Sequence, residues 1–176
     1  MNVLIIGPSG SGKSTIGKIL QKRGYNFVEA DVDKYKSKSI AYYINKKTGE
    51  GVNMPWPRPN DWGDENDWVW RVDIIKDKLA QWPNQVNFVC GDAANKQEAY
   101  QIFDKIIVLS TDDSTLRQRV LSRKNNYFGK DPVEFAWISE QNKKIYEEAK
   151  HASGIIIDAS KPVNEIVDEI ISLVGK

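Results

Sequence analysis

Residues 7–14, Gly7-Pro8-Ser9-Gly10-Ser11-Gly12-Lys13-Ser14, follow the pattern Gly-x-x-x-x-Gly-Lys-Ser. Glycines at these spacings let a backbone curl until several N–H groups face one anion, and a following helix N-terminus adds partial positive charge. Lys13 is then placed to reach the β- and γ-phosphates of a nucleoside triphosphate, and the Ser14 hydroxyl to ligate Mg²⁺. The setting fits: Val3-Leu4-Ile5-Ile6 reads as a buried strand before the loop, and the residues from Thr15 onward as the first turns of a helix after it.

A second group lies at Glu29-Ala30-Asp31-Val32-Asp33, where two carboxylates two positions apart follow an apolar run. The C-terminal ends of parallel strands are where open α/β sheets bind ligands. One carboxylate there can order Mg²⁺ through water, and the other can accept the proton of an attacking hydroxyl. A pair of helix-capping or surface aspartates is the competing reading. A third group is Leu116-Arg117-Gln118-Arg119-Val120-Leu121-Ser122-Arg123, where Arg119 and Arg123 share a helical face at i, i+4. The polar, glycine-containing and basic stretch 124–132 after it has the make-up of a short lid.

Positioning these groups requires an alternation of strands and helices. Strands are expected at Asn2–Ile6, Asn26–Ala30, Val86–Cys90, Lys105–Leu109 and Gly154–Ile157, each short and apolar as fully buried parallel strands are. Helices are expected over Lys13–Arg23, Lys36–Asn45, Glu65–Gln81, Lys96–Phe103, Ser114–Lys124, Val133–His151 and Val163–Val174. Asp112 and Asp113 supply capping oxygens before Ser114, and Pro162 opens the last helix. The fold class expected is α/β: five parallel strands between two helical layers.

Bulk properties narrow the field. The 176 residues suit one compact domain, and 25 Lys+Arg against 24 Asp+Glu lack the basic excess of a dedicated nucleic-acid binder. The single cysteine, Cys90, cannot form an internal disulfide and reads as a buried core thiol; the lone histidine, His151, reads as a helix-end residue. No apolar run approaches membrane-span length, so a cytoplasmic protein without membrane contact is expected, as a monomer or dimer.

The loop Gly7–Ser14, the Asp-x-Asp at Asp31 and Asp33 and the arginine-bearing helix resemble the small P-loop kinases, specifically the shikimate, gluconate and nucleoside monophosphate kinases. The resemblance spans nearly the whole chain except the segment 34–85. It implies a P-loop NTPase three-layer sandwich of strand order 2-3-1-4-5, with ATP and Mg²⁺ as cofactors. It further implies that Gly7–Thr15 hold the nucleotide, that Ser14 and Asp31 serve the metal, and that Asp33 binds and activates the acceptor hydroxyl. Arg119 would lie against the adenine, and Arg123 toward the transferring phosphate as a catalytic charge stabiliser beside Lys13. The stretch Ile157–Pro162, with Ser160 and Lys161, looks like the loop beside the adenine. Shikimate kinases follow their third strand with a triple glycine; Cys90-Gly91-Asp92-Ala93 keeps only Gly91, expected to face the acceptor, and offers Asp92 as an extra acid near the metal.

Within one domain, 1–176, the segment 34–85 reads as an acceptor-binding insert and 124–132 as the lid. Four of the six tryptophans fall in that insert ahead of Trp82. Alternating prolines in Met54-Pro55-Trp56-Pro57-Arg58-Pro59 stiffen the backbone and present Trp56 and Arg58, which suit a ring-shaped acceptor with an anionic group. The same residues suit a loop pinned by tryptophans. Trp68, Val72, Ile75 and Leu79 are expected as one core-facing helical stripe, with Arg71 beside it facing either the acceptor or Asp67.

The leading reading is an ATP-dependent phosphotransferase acting on a hydroxyl of a nucleoside, sugar acid or cyclic polyol. Two arginines in the insert are few for a nucleotide clamp, which ranks nucleoside monophosphate kinase second. A polynucleotide-end kinase, with tryptophans stacking bases, is disfavoured by the near-zero net charge. A regulatory ATPase is the remaining alternative; Asn95-Lys96-Gln97-Glu98 departs from the guanine-reading Asn-Lys-x-Asp at its last residue.

Overall fold

A computed structural model describes residues 1–31, 39–55, 58–59, 61–124 and 126–175. Its strands are β1 (Asn2–Ile6), β2 (Asn26–Glu29), β3 (Ala41–Asn45), β4 (Gly51–Val52), β5 (Asn66–Trp70), β6 (Asn87–Cys90), β7 (Lys105–Ser110) and β8 (Ile155–Asp158). Its helices are α1 (Lys13–Lys22), α2 (Trp62–Glu65), α3 (Val72–Leu79), α4 (Asp113–Ser122), α5 (Pro132–Lys143), α6 (Ile145–His151) and α7 (Val163–Val174), with a 3₁₀ helix at Lys96–Ile102.

β1 lies at the centre of a parallel sheet, paired with β6 (Leu4 opposite Val89) and β7 (Ile5 opposite Ile107), with β2 and β8 outside them. The order β2-β6-β1-β7-β8 is the expected 2-3-1-4-5 when the five parallel strands are counted alone. Both faces of this sheet are covered, so β1 and β6 are apolar almost throughout. Alternation sends Val3 and Ile5 to one face, against Ile16 and Leu20 of α1 and Ile166, Val167 and Ile170 of α7. Leu4 and Ile6 face the other way, against Ile75 and Leu79 of α3, Ala99 of the 3₁₀ helix and Ile145 and Ala149 of α6. Beyond the sheet, α4 and α5 share a smaller core of Leu116, Val120, Phe135 and Ile138. Each starts on an aspartate cap: Asp112 accepts the Thr115 N–H at 2.8 Å, and Asp131 the Val133 N–H at 2.8 Å.

Three helix expectations are corrected. Ala41–Asn45 and Asn66–Trp70 are strands, and with β4 they form a separate antiparallel sheet, β4-β3-β5, between β2 and β6 in the chain. Aromatic and β-branched residues dominate both runs, and Trp68 stacks across the ladder on Tyr43 with ring centroids 4.7 Å apart. Trp68 therefore does not belong to the stripe Val72, Ile75 and Leu79, which does lie on α3. The single helix expected over Val133–His151 breaks at Lys144, two residues after Asn142, which ties α5 to the Thr111 carbonyl at 2.8 Å and to Asp113 at 2.9 Å. Part of the expected helix Lys36–Asn45 lies outside the described residues, as do Asp33 and Trp56.

Candidate active site

The loop Gly7–Ser14 joins β1 to α1 at the C-terminal edge of the parallel sheet. The Ser11 N–H donates to the Pro8 carbonyl at 3.1 Å, and Gly12 caps α1 in the left-handed conformation, φ +99°. Gly10, at φ +94°, backs so closely on α4 that a Cβ would lie 3.0 Å from Val120. These constraints explain the glycines. Inside the curl, the Lys13 side chain is 8% exposed and its Nζ donates to the carbonyls of Gly7 (2.6 Å) and Pro8 (3.2 Å). The Ser11 hydroxyl is buried, 1% exposed, with no hydrogen-bond partner among the described residues. An orphaned hydroxyl, a buried ammonium and first-turn N–H groups that no carbonyl of α1 can reach together fit a polyphosphate. Ser14 is half-buried at the start of α1, and Thr15 is exposed beside it.

Asp31 follows β2 after Ala30, whose N–H extends the ladder to the Cys90 carbonyl at 2.8 Å. Its Oδ1 accepts the Asp92 backbone N–H at 2.8 Å. Burial pushes the Asp31 carboxyl up to about 6, against the opposing pull of the Lys13 ammonium, while the Asp92 charge adds to the rise. Gly91 underlies this contact: a Cβ there would sit 2.7 Å from Asp31 Oδ1 and 2.9 Å from the Trp70 ring. The Asp92 carboxylate is turned to Lys96 at 2.7 Å.

On the opposite side, Arg123 at the end of α4 donates through Nη1 to Ser9 Oγ of the loop at 3.2 Å, through Nε to Asn126 O at 3.1 Å, and through Nη2 to Phe128 O. Burial draws its guanidinium below the usual arginine range, with Glu134 opposing. Arg119, one turn earlier, donates to the Ala159 carbonyl at 2.8 Å and so fixes the loop after β8.

A family profile described as an AAA domain matches residues 3–135. The chain belongs to that family. Among solved structures, this AAA-domain protein is similar in fold to P-loop kinases. A gluconokinase from Sinorhizobium meliloti 1021 superposes with a TM-score of 0.57 at 20% identity, over 97% of this chain and 89% of that one. The shikimate kinase of Aquifex aeolicus gives 0.56 at 20% identity, over 99% and 96%. A deoxyadenosine kinase from M. mycoides, solved with bound dATP, gives 0.61 at 14% identity, over 100% of both chains. A search of curated proteins gives no match.

In this AAA-domain protein, Gly7–Ser14, Asp31, Gly91, Arg119 and Arg123 converge on one edge of the sheet. Other expected site residues are committed elsewhere. Lys161 turns to Glu169 at 2.9 Å, while Ser160 donates its N–H to Asp158 at 2.9 Å within the loop that Arg119 holds. Arg71 caps α3, donates to the Ser39 carbonyl at 2.6 Å and stacks 4.0 Å over the Tyr42 ring; Asp67 pairs instead with Lys46 at 3.5 Å. Arg58 bridges to Glu134 and the Phe128 ring. Arg117 lies over Phe135 at 4.9 Å, on the small core. Sequence reasoning passed over two residues. Glu134 accepts both Arg58 and the Gly129 N–H (2.7 Å). Asn95 pairs with both backbone groups of Trp70, accepting its N–H at 2.8 Å and donating to its carbonyl at 3.0 Å. Asn95 stands out in the sequence only within Asn95-Lys96-Gln97-Glu98, which does not encode its pairing with Trp70, and Glu134, two residues after Pro132, carries no signal.

Proposed function

We propose that the protein is an ATP-dependent phosphotransferase that moves the γ-phosphate of ATP to a hydroxyl of a small acceptor: a nucleoside, sugar acid or cyclic polyol. The observation that carries this reading is the convergence of three charges on one loop. Lys13 is buried within it, Arg123 reaches Ser9 from 114 positions away, and Asp31 lies close enough for Lys13 to oppose the rise in its pKa. Phosphoryl transfer depends on positioning and on stabilising charge on the phosphoryl oxygens, and a lysine buried inside a glycine loop with an arginine bonded to the same loop can supply both.

In this reading residues 7–15 hold the triphosphate, with Ser11 and Lys13 contributing the buried hydroxyl and cation. Arg119, with the loop at Ala159 and Ser160, borders the base. Ser14 and Asp31 would hold Mg²⁺, which when bound neutralises phosphate charge and orients the phosphoryl group. Asp33 would accept the proton of the acceptor hydroxyl. Residues 34–85 would form the acceptor side, and 124–132 a lid, held by Arg123 through the Asn126 and Phe128 carbonyls, that excludes water. The two arginines of the acceptor segment are both engaged, Arg58 by Glu134 and Arg71 by Ser39 and Tyr42, which favours a hydroxyl acceptor over a nucleotide phosphate. No helix among the described residues is long and apolar enough to cross a membrane, in keeping with a small-molecule substrate met in solution.

The test is transfer of label from γ-labelled ATP with Mg²⁺ to a panel of nucleosides, nucleotides, sugar acids, shikimate and RNA ends, with water alone as control. Labelling of one hydroxyl class, abolished by Asp33→Asn, supports the reading. Release of phosphate to water alone, indifferent to Asp33→Asn, overturns it in favour of an ATPase.

A further inference from the structure

A continuous run of polar contacts leads from α6 to the metal-side carboxylate. The Tyr100 hydroxyl donates to Glu148 Oε1 at 2.5 Å. Lys96 Nζ lies 3.0 Å from Glu148 Oε2 and 2.7 Å from Asp92 Oδ1. The Asp92 N–H then reaches Asp31. Lys96 is the only cation in this run and its side chain is 14% exposed. Burial alone would draw a lysine toward neutrality, yet Asp92 and Glu148 hold Lys96 above its ordinary range, so the ammonium stays charged between two carboxylates.

Geometry gives that cation a task. Asp92 has two groups within reach of Asp31, a donor N–H and a carboxylate of the same charge as Asp31. Only the N–H is turned to Asp31, because Lys96 draws the carboxylate the other way, toward α6. Without the ammonium, Asp92 and Glu148 would stand as two uncompensated acids near Lys96's place, and the Asp92 carboxylate would be free to swing toward Lys13 and the cation position. The loop carrying Asp92 is also tied to β5, through the Ala94 N–H to the Trp68 carbonyl at 2.8 Å and through Asn95 to Trp70. Movement of Asp92 would therefore be felt at both Asp31 and the small sheet.

We propose that Lys96 is a positioning residue: by holding the Asp92 carboxylate against Glu148 it delivers the Asp92 N–H to Asp31 and keeps a second acid off the cation position. The inference rests on the reading of Asp31 as the metal-side carboxylate.

The test uses the full chain and β,γ-imido-ATP, titrated calorimetrically with and without Mg²⁺, and reads the ratio of the two affinities. Lys96→Met leaves the Mg²⁺-free affinity essentially unchanged and lowers the Mg²⁺ enhancement about 10-fold or more, the usual effect of removing a partner that orients a metal ligand. Lys96→Arg restores most of the enhancement, because a guanidinium can still bridge both acids. In the ligand-free chain, Lys96→Met speeds hydrogen exchange over 90–96 and Lys96→Arg does not. Where Lys96→Met fails to fold, Glu148→Gln carries the test, with a smaller loss in the same direction. Full enhancement in Lys96→Met, or in Glu148→Gln where that variant is the one measured, overturns the proposal and leaves Lys96 an ordinary ion pair. A wild-type chain whose binding Mg²⁺ does not strengthen removes the metal-side reading of Asp31 as well, and so is distinguishable from failure at Lys96 alone.

Discussion

Arg58 and Glu134 stand 76 positions apart in the chain and 3.2 Å apart in space, each side chain 20% exposed. Glu134 spends its second oxygen on the Gly129 N–H, so one carboxylate ties both the proline-rich stretch and the turn at Gly129 to the start of α5. Removal of Glu134 breaks both ties, whereas removal of Arg58 breaks one. A double-mutant cycle of Arg58→Ala and Glu134→Ala should show a coupling of about 1–2 kcal/mol, above the range of exposed pairs, with Glu134→Ala the costlier single change. Additive effects in urea unfolding would show the pair to be incidental.

Asp31 gives a pH signature. Its carboxyl is raised from 3.8 to about 6 in the folded chain, mainly by burial. A raised folded pKa means the native state prefers the protonated acid, so its stabilising contribution is complete below about 3.8 and is lost as pH rises through 6. Asp31→Asn keeps an acceptor for the Asp92 N–H and sheds the charge. The ligand-free variant should be more stable than wild type by on the order of 2 kcal/mol at pH 8, a gain that fades toward pH 4, while phosphotransfer is lost. Equal urea midpoints at pH 8 would contradict this account.

Gly91→Ala places a methyl group 2.7 Å from Asp31 Oδ1 and 2.9 Å from the Trp70 ring. Ala30 stands 3.1 Å away on the same side, so the surroundings have little room to give. A destabilisation of about 1–3 kcal/mol is expected, with loss of Mg²⁺-dependent binding. Unfolding curves that overlay wild type would show that the loop yields freely.

Lys13→Ala removes the only ammonium inside the phosphate loop. Transfer from ATP should fall by about 10²–10³. Single-turnover label transfer reads this directly; a near-normal rate would rule out the mechanism proposed above.

Asn95→Ala strips partners from both the N–H and the carbonyl of Trp70. A cost of about 1–3 kcal/mol is expected, and Asn95→Asp, which retains only the acceptor, should fall between. Thermal melts of the three proteins test the order; indistinguishable melts would mean that solvent replaces the amide without loss.

The parallel sheet was legible because burial on both faces leaves Val3–Ile6, Phe88–Cys90 and Ile106–Leu109 without a charged or amide side chain to disguise them. The phosphate loop was legible because Gly10 and Gly12 need backbone conformations that other residues resist. The small sheet was hidden by a coincidence of spacing. Trp68 precedes Val72 by four positions, as helix neighbours do, yet Trp68 belongs to β5 and only Val72 to α3. The tie from Glu134 to Arg58 and the pairing of Asn95 with Trp70 were out of reach for a different reason. Each depends on a partner far along the chain, which no local pattern encodes.

The pairing of Asn95 with Trp70 also constrains the order of assembly. Asn95 follows β6, and β6 takes its place by pairing with β2 and β1, on the β1 side with Asn2 meeting Asn87 across 85 positions. β3 and β5 come from nearby stretches of chain and can meet early, since short closures are entropically cheap and fast. The small sheet is thus a locally closed unit, built wholly from the stretch of chain between β2 and β6. Its attachment to the loop after β6 runs through the Ala94 N–H on the Trp68 carbonyl and through the Asn95 amide, which pairs with Trp70 as a neighbouring strand would.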